Sequence, residues 1–476
     1  MYRYENKNRR PFSAICQMNF GRKIIYTDQK QIGAENIVDE LGDAISTHQD
    51  NKDEITYLER YYRGDAPILY RDKKVRPEVN NKIHINLAYP LVEMKASEIA
   101  GEPIQYVLRG VDKTKSDDIA RLNTILDNEN KPENDIEVCR WRSICGTAYR
   151  FIGNDEGQGS VLDETDFYLD CLDPREAFVV YYSNSKKPAF GVRVVEKNDG
   201  KADYYCYTNS EYFIINDGEI VDSGLNGNGA IPIVEYPNNE RRLSDIEITI
   251  SITDAIDTLA SDRVNGIEQF VASWVKFVNC EIDEELFKKM RQEGALTVKS
   301  NNGAENKADV DIITSELNQT EGQVVMDDLF NKFLVIQGLA NRQGNTGGDT
   351  QGAVELRNGH YDAEKRAELS EPIFKKAERQ FVKILLNRLR IVETIELKPS
   401  DVEIKISRSK MDNMLVKAEV LQILLNSGVK PERAIKTVGL FSDPEQVSVE
   451  SRKRMEILYP ETEQATNEPT EVIEVE

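Results

Sequence analysis

The chain has 476 residues, 39% of them hydrophobic and 30% charged, with a formal net charge of −22. That length exceeds what one hydrophobic core supports and predicts two to four domains, while the lack of any run of 18 apolar residues excludes a membrane-spanning helix. An excess of Asp and Glu, 83 against 61 Lys and Arg, excludes a protein that wraps tightly around nucleic acid, although an acidic wall lets a polyanion slide past without sticking.

Met1–Lys7 has basic residues but no apolar stretch of a secretion signal, so an intracellular product is expected. Residues 1–33 show no clear period and read as an extended arm. Over 35–62, Ile37, Leu41, Ile45, Ile55, Leu58, Tyr61 and Tyr62 recur at helical spacing, and Gly64 suits a C-terminal cap. A second helix is predicted over 86–100 (Leu87, Leu91, Met94, Ile99), then a strand at 104–108 and helices at 116–128 and 134–146. From 147 to 236 the pattern changes to short β-rich runs at 148–152, 167–169, 177–181, 191–195, 204–207 and 212–215. Gly, Asn and Asp separate them, as in a meander of hairpins. This half is α+β.

A helical pattern then runs from Leu243 to about Val278, with Ser244 as its cap and Asp245 and Glu247 in the first turn. Its length of ~54 Å at ~1.5 Å per residue exceeds a small core and predicts packing against other copies. Residues 279–315 read as a small insertion: an acidic helix Asp283–Gln292, strands Ala295–Val298 and Val310–Ile313, and a polar loop Ser300–Lys307. The chain returns along a helix over 316–339 (Val325, Leu329, Phe333, Ile336, Leu339), so the whole forms a protruding stalk. The loop 341–352 has four glycines in twelve residues and no large apolar side chain, which suits contact without grip. A long helix resumes over 353–392, where Pro372 predicts a kink or a break. Residues 391–406 read as one or two strands, 412–427 as a helix, with further helices from Lys430 and after Asp443. The acidic tail 461–476 is expected to be disordered.

Cys16, Cys139, Cys145, Cys171, Cys206 and Cys280 are dispersed and never form a C-x-x-C pair, so reduced, mostly buried thiols are expected and a zinc site is not. His48, His84 and His360 lie apart, without an evident Ser or Cys partner. Gly344-Asn345-Thr346-Gly347-Gly348 superficially resembles a phosphate cradle but lacks the Lys-Ser/Thr of a P-loop and follows no strand. Asp309 and Asp311 share a strand face, an arrangement that alone rarely holds a metal. Trp274 is expected to anchor packing near the end of the long helix. No cofactor, metal site or enzyme is read from the residues.

The order of these elements resembles the portal proteins of tailed bacteriophages, specifically the siphovirus-type portal family. Tyr61-Tyr62-Arg63-Gly64, Asn80-Asn81-Lys82-Ile83, Asn86 and Gly101-Glu102-Pro103-Ile104 are similar to its first landmarks. Gly146-Thr147-Ala148-Tyr149 and Leu172-Asp173-Pro174-Arg175-Glu176 follow in order. The strongest match is Ile231-Pro232-Ile233-Val234-Glu235 with Asn238-Asn239-Glu240, leading to Leu243, Asp254, Ser261-Asp262 and Asn265. The resemblance spans about 55–455. It departs at Thr350-Gln351-Gly352-Ala353, where the family commonly has Ser-Gly-x-Ala.

What the resemblance implies is an α+β portal fold that assembles as a dodecameric homo-oligomer, a ring at one vertex of the head through which double-stranded DNA passes. It implies an N-terminal arm and wing (1–242), stem helices (243–278 and 316–340), a small α/β clip (279–315) and a tunnel loop (341–352). A long wing helix with strands (353–409), a helical crown (410–460) and the acidic tail (461–476) complete it. Asn341, Arg342, Gln343, Asn345, Thr346 and Gln351 would contact DNA. Lys288, Lys289, Arg291 and Lys299 would dock partners at the clip, although a salt-bridged face beside Asp283, Glu284 and Glu285 reads equally well there. The partners implied are the terminase large subunit, a head-completion adaptor, and the major capsid and scaffold proteins, in a virion assembled in the host cytoplasm. Competing readings are another head–tail connector ring and a nucleic-acid-processing enzyme; the latter needs a Walker lysine or a carboxylate cluster at metal spacing, and the sequence has neither.

Overall fold

The computed structural model describes residues 21–74, 77–109, 115–154, 165–197, 200–271, 274–278, 309–313, 319–339, 360–392, 395–407, 414–438, 447 and 451. Contacts gather the chain into two compact units. One combines Thr56–Leu91 with Asp245–Arg366; the other combines Gly21–Ile55, Val92–Ser244 and Ala367–Glu476. Each unit is assembled from stretches far apart in sequence.

Among the described residues the larger unit holds three sheets. Strands β1 (Ile25–Thr27), β5 (Ala177–Tyr182), β6 (Pro188–Glu196), β7 (Ala202–Tyr207), β8 (Glu211–Asn216) and β9 (Glu219–Leu225) form a six-stranded sheet in that order. β5 to β8 form the expected antiparallel meander and β9 extends it, whereas the first two expected runs, 148–152 and 167–169, fall in a separate sheet; β1 joins the edge in parallel and corrects the reading of 1–33 as arm throughout. A three-stranded sheet orders β10 (Ile233–Pro237), β3 (Thr147–Asn154) and β4 (Phe167–Leu172). β2 (Gln105–Leu108) pairs with β13 (Val402–Lys405), the one strand among the described residues of 391–406, where one or two were expected.

Because successive strand residues face opposite sides, β3 separates two cores. Ala148 and Ile152 join a core with α3 (Ser116–Asn128), α4 (Lys131–Cys145) and α7 (His360–Val392), where Phe374, Phe381, Leu385 and Leu386 are fully buried. Tyr149 and Phe151 join the other, with the six-stranded sheet and with Ile37, Leu41 and Ala44 of α1 (Ile37–Tyr62). Each such buried Leu or Phe stabilises by ~1.5–3 kcal/mol relative to an exposed one. α7 runs unbroken through Pro372, which sits on its exposed face.

In the smaller unit, α2 (Ala88–Ala100) begins near the boundary, and α5 (Asp245–Val271) lies antiparallel to α6 (Gln319–Gln337). Gln337 donates to the Asp245 carbonyl and to Thr249 at 2.6 and 2.7 Å, while Arg263 near the other end of α5 donates to Gln323 at 2.7 Å. The expected helix to Val278 is corrected: α5 ends at Val271, and Trp274–Val278 is a strand, β11, paired antiparallel with β12 (Asp309–Ile313). Trp274 is therefore a strand residue opposite Ile313. The alternating aromatic and β-branched residues of Trp-Val-Lys-Phe-Val favour a pleated strand once a partner is present. The Ser244 hydroxyl, just before α5, donates to the Ile144 carbonyl at 2.6 Å.

Two short helices, α8 (Met414–Asn426) and α9 (Pro431–Val438), follow β13. The expected helix Asp283–Gln292, the strand Ala295–Val298 and the tail 461–476 lie outside the described residues. No described helix is long and apolar enough to cross a membrane.

Candidate functional site

The tunnel-loop residues Asn341, Arg342, Gln343, Asn345, Thr346 and Gln351 and the clip residues Lys288, Lys289, Arg291 and Lys299 lie outside the described residues. What the structure does place are the landmark residues that carry the resemblance. They meet in two arrays, each built from pieces remote in sequence, and a third array contains none of them.

The first array is a ladder between an extended segment, 81–85, and α5. Three alternate backbone N–H groups, of Asn81, Ile83 and Ile85, donate to side-chain oxygens of Asn265 (2.7 Å), Ser261 (2.9 Å) and Asp257 (2.8 Å). Two extended residues rise ~6.6–6.8 Å and four helical residues rise ~6.0 Å. Acceptors at every fourth position of a helix therefore match every second N–H of an antiparallel strand. Asp257, Ser261 and Asn265 are each at most 2% exposed. Hydroxyl and short carboxamide or carboxylate groups suit this role because they carry an acceptor close to the backbone.

Further contacts close the ladder. His84 Nδ1 lies 2.6 Å from the second Asp257 oxygen, and Tyr61 contacts Thr253 and donates to Asp254 at 2.6 and 3.0 Å. Arg71 and Lys73 both pair with Asp262. Asn86 donates to the Tyr62 carbonyl and accepts from Tyr89 N–H in the first turn of α2. Gly64 takes a left-handed conformation (φ +88°) as the expected cap of α1. Burial raises the Asp254 carboxyl to about 6, with the Asp257 charge adding to the shift and the Tyr61 hydroxyl opposing it.

The second array joins Gly146-Thr147 to the 235–244 segment. Gly146 ends α4 at φ +87°, and a Cβ there would collide with the Arg242 carbonyl oxygen. Asn238 N–H donates to the Gly146 carbonyl at 2.9 Å, and Asn239 accepts from Leu243 N–H at 2.9 Å. Buried Glu235 receives Arg242 through both carboxylate oxygens, plus Thr147 at 2.8 Å. Burial would raise its carboxyl, but Arg242 outweighs that and holds it below the usual range. The Asp173-Pro174-Arg175 turn closes on itself, with Arg175 N–H donating to Asp173 at 2.8 Å and the Arg175 carbonyl facing His48.

The third array was invisible in the sequence. Lys131, Asp135, Arg150 and Glu378 form a four-charge network, each side chain at most 3% exposed. Lys131 and Arg150 each lie 3.1 Å from Glu378, and both also pair with Asp135. Tyr106 and Tyr236 donate to Glu378, and Asn134 accepts from Arg150 at 2.8 Å. The guanidinium lies 4.9 Å from both the Tyr236 and Phe381 ring centres. Burial pushes the Glu378 carboxyl up, yet Lys131, Arg150 and the two hydroxyls hold it at about 2. With two charges of each sign and every group bonded, the network satisfies the conditions under which a core tolerates ions. The only sequence signal was a lysine and an aspartate four residues apart on α4.

Most polar groups of these arrays bond another part of the same chain, while His84 Nε2 and Arg71 Nε are buried with no hydrogen-bond partner among the described residues. Cys139, Cys145, Cys171 and Cys206 are buried free thiols, and burial raises Cys139 to about 12; Cys16 and Cys280 lie outside the described residues. Among the described residues no group of three His, Cys, Asp or Glu side chains converges as a metal site.

A family model described as phage portal protein, SPP1 Gp6-like, matches residues 42–465. The chain belongs to this portal family. Among solved structures, the chain is similar to one described as the neck of an empty GTA particle computed with C6 symmetry, at 10% identity and TM-score 0.47, covering 82% of this chain and 94% of that one. It is also similar to one described as the virion of a native gene transfer agent particle, at 11% identity and TM-score 0.44, covering 84% and 93%. No curated protein matches.

For a portal-family chain, the α5–α6 pair shows an unfinished surface. Phe333 and Leu339 are buried as expected, but Val325 and Ile336 of the same predicted stripe are 49% and 46% exposed, as are Ile248 and Ile267 on α5 at 46% and 51%. Paired helices that leave this much apolar surface in water call for further neighbours.

Proposed function

We propose that the chain forms the portal ring of a tailed phage, twelve copies surrounding a channel through which double-stranded DNA enters and leaves the head. The family match over 42–465 carries this reading. The antiparallel α5–α6 pair leading into the β11–β12 ribbon supports it, because that arrangement suits a stem ending in a clip. In this reading 1–242 is arm and wing, 243–278 and 316–340 contain the stem helices, 279–315 is the clip and 341–352 the tunnel loop. The segment 353–409 crosses the wing, 410–460 forms the crown and 461–476 is the acidic tail. The exposed valines and isoleucines of α5 and α6 are covered by adjacent copies through a heterologous interface.

The role is mechanical rather than enzymatic. Asn341, Gln343, Asn345, Thr346 and Gln351, with Arg342 the only cation among them, touch passing phosphates weakly, and ring symmetry multiplies the contacts. Lys288, Lys289, Arg291 and Lys299 meet acidic faces of the terminase large subunit and later of a head-completion adaptor. Major capsid and scaffold proteins surround the ring in a particle assembled in the host cytoplasm. Deleting Gly344–Gly348 tests the loop assignment: rings are expected to persist while packaged DNA falls. Loss of rings in that variant would show that the loop is structural instead.

A further inference from the structure

The outer face of α7 in the larger unit carries Lys376, Arg379, Lys383 and Arg390, all exposed. They lie three, seven and fourteen residues along from Lys376, so at 3.6 residues per turn they fall within an arc of about 60°. None of the four makes an ion pair with a described residue. In a chain of net charge −22, such an uncompensated cationic stripe is unusual.

A matching stripe of opposite sign lies on α1. Asp39, Asp43, Asp50 and Asp53 are exposed on the face opposite Ile37, Leu41, Ala44 and Ile55, within an arc of about 80°. Asp50 pairs with Lys23 at 2.7 Å across an exposed contact, and Asp53 accepts from Gln49. Both stripes extend over fourteen residues, ~21 Å at ~1.5 Å per residue. Laid antiparallel, Lys376 meets Asp53, Arg379 meets Asp50 and Arg390 meets Asp39. Lys383 then lies opposite Ser46, three residues (~4.5 Å) from Asp43, within reach of the latter for a lysine stem.

The two stripes cannot meet inside one subunit. α7 packs on the face of the β10–β3–β4 sheet that presents Ala148, Arg150 and Ile152; α1 belongs to the core on the other face, with Tyr149 and Phe151. Each stripe points away from its own core, so the helices present opposite charges on opposite sides of the unit. That is the requirement for a heterologous contact that repeats from copy to copy.

We propose that the basic stripe of α7 docks on the acidic stripe of α1 of the neighbouring copy, setting the register between adjacent subunits. This rests on the ring reading above. Exposed ion pairs add little affinity individually, but a patterned row selects partner and register, and it weakens as salt screens it.

The test uses the full chain and two variants, Lys376→Glu with Lys383→Glu, and Asp43→Lys with Asp53→Lys, each checked for native circular dichroism. Ring fraction is measured by mass photometry at matched salt. Each variant alone should show at least a tenfold lower ring fraction than the parent chain. Mixing the two should restore rings in which they alternate, since each variant's altered stripe then meets an opposite charge; misfolding cannot produce that recovery. Parent rings with unaffected variants, or no recovery on mixing, would overturn the pairing alone. Variant rings that persist but retain less DNA would overturn it in favour of a polyanion on α7. A parent chain that forms no rings under any salt condition would defeat the ring reading first, and this pairing with it.

Discussion

In the larger unit, the charges of Lys131, Asp135, Arg150 and Glu378 cancel one another inside a closed core. In the smaller unit, Asp254 is mostly buried near Asp257 with a Tyr61 hydroxyl as its hydrogen-bond donor. The charged network locks five elements together and leaves nothing over. The ladder lashes one extended segment to one helix through the separate rungs of Asn265, Ser261 and Asp257. Both are built from residues that a chemist would scan for catalysis, and both are architectural. The difference lies in how each fails: the closed network should fail as a block, the ladder rung by rung.

Glu378→Ala makes the largest break. It leaves Lys131 and Arg150 sharing one carboxylate and removes the acceptor of Tyr106 and Tyr236, at an expected cost of ~3–5 kcal/mol, read by denaturant unfolding of the full chain. A cost below about 1 kcal/mol would mean the network holds nothing. Gly146→Ala comes next, losing about 1–3 kcal/mol from the left-handed backbone alone, with more from displacing the Arg242 carbonyl; a neutral result would refute the turn geometry. Ser261→Ala removes one rung and should cost about 1 kcal/mol, seen as faster amide exchange at Ile83 with β3 protection unchanged. If exchange accelerated equally in both units, the contrast between them would be lost.

The smallest effect has opposite signs in the two regions. Asp254, raised from 3.8 to about 6, binds its proton more tightly folded than unfolded. Its contribution to stability is present at low pH and is lost as pH rises through about 6. Glu378, lowered from 4.5 to about 2, contributes above 4.5 and loses that contribution as pH falls toward 2. Segment-resolved hydrogen exchange at pH 4 and pH 7 should show α5 less protected at the higher pH, and Asp254→Asn should remove the change. An unaltered slope in that variant would assign it to another group.

The helices were legible because their faces repeat: Ile37, Leu41 and Leu58 on α1 are all buried, and Gly64 and Gly146 end helices in the left-handed region. The β5–β9 meander was legible up to β8, from its alternation. β9 was not, since its residues are mostly exposed and charged or small, and β1 is only three residues long. Trp274–Val278 reads as helix until Asp309–Ile313 pairs with it, and sequence order does not reveal that partner. The landmark residues were recognised as a pattern, but their purpose required seeing Asn81 against Asn265 and Thr147 against Glu235. Side-chain-to-backbone pairing across such separations leaves no local period to read. The tunnel loop and the clip cations stay as the sequence left them.

Electron microscopy of the purified full chain tests the central claim most directly. The account predicts rings of about twelve subunits with an open central channel and no nucleotide hydrolysis in the same preparation. A compact monomer, or a hydrolase activity that copurifies with it, would contradict it.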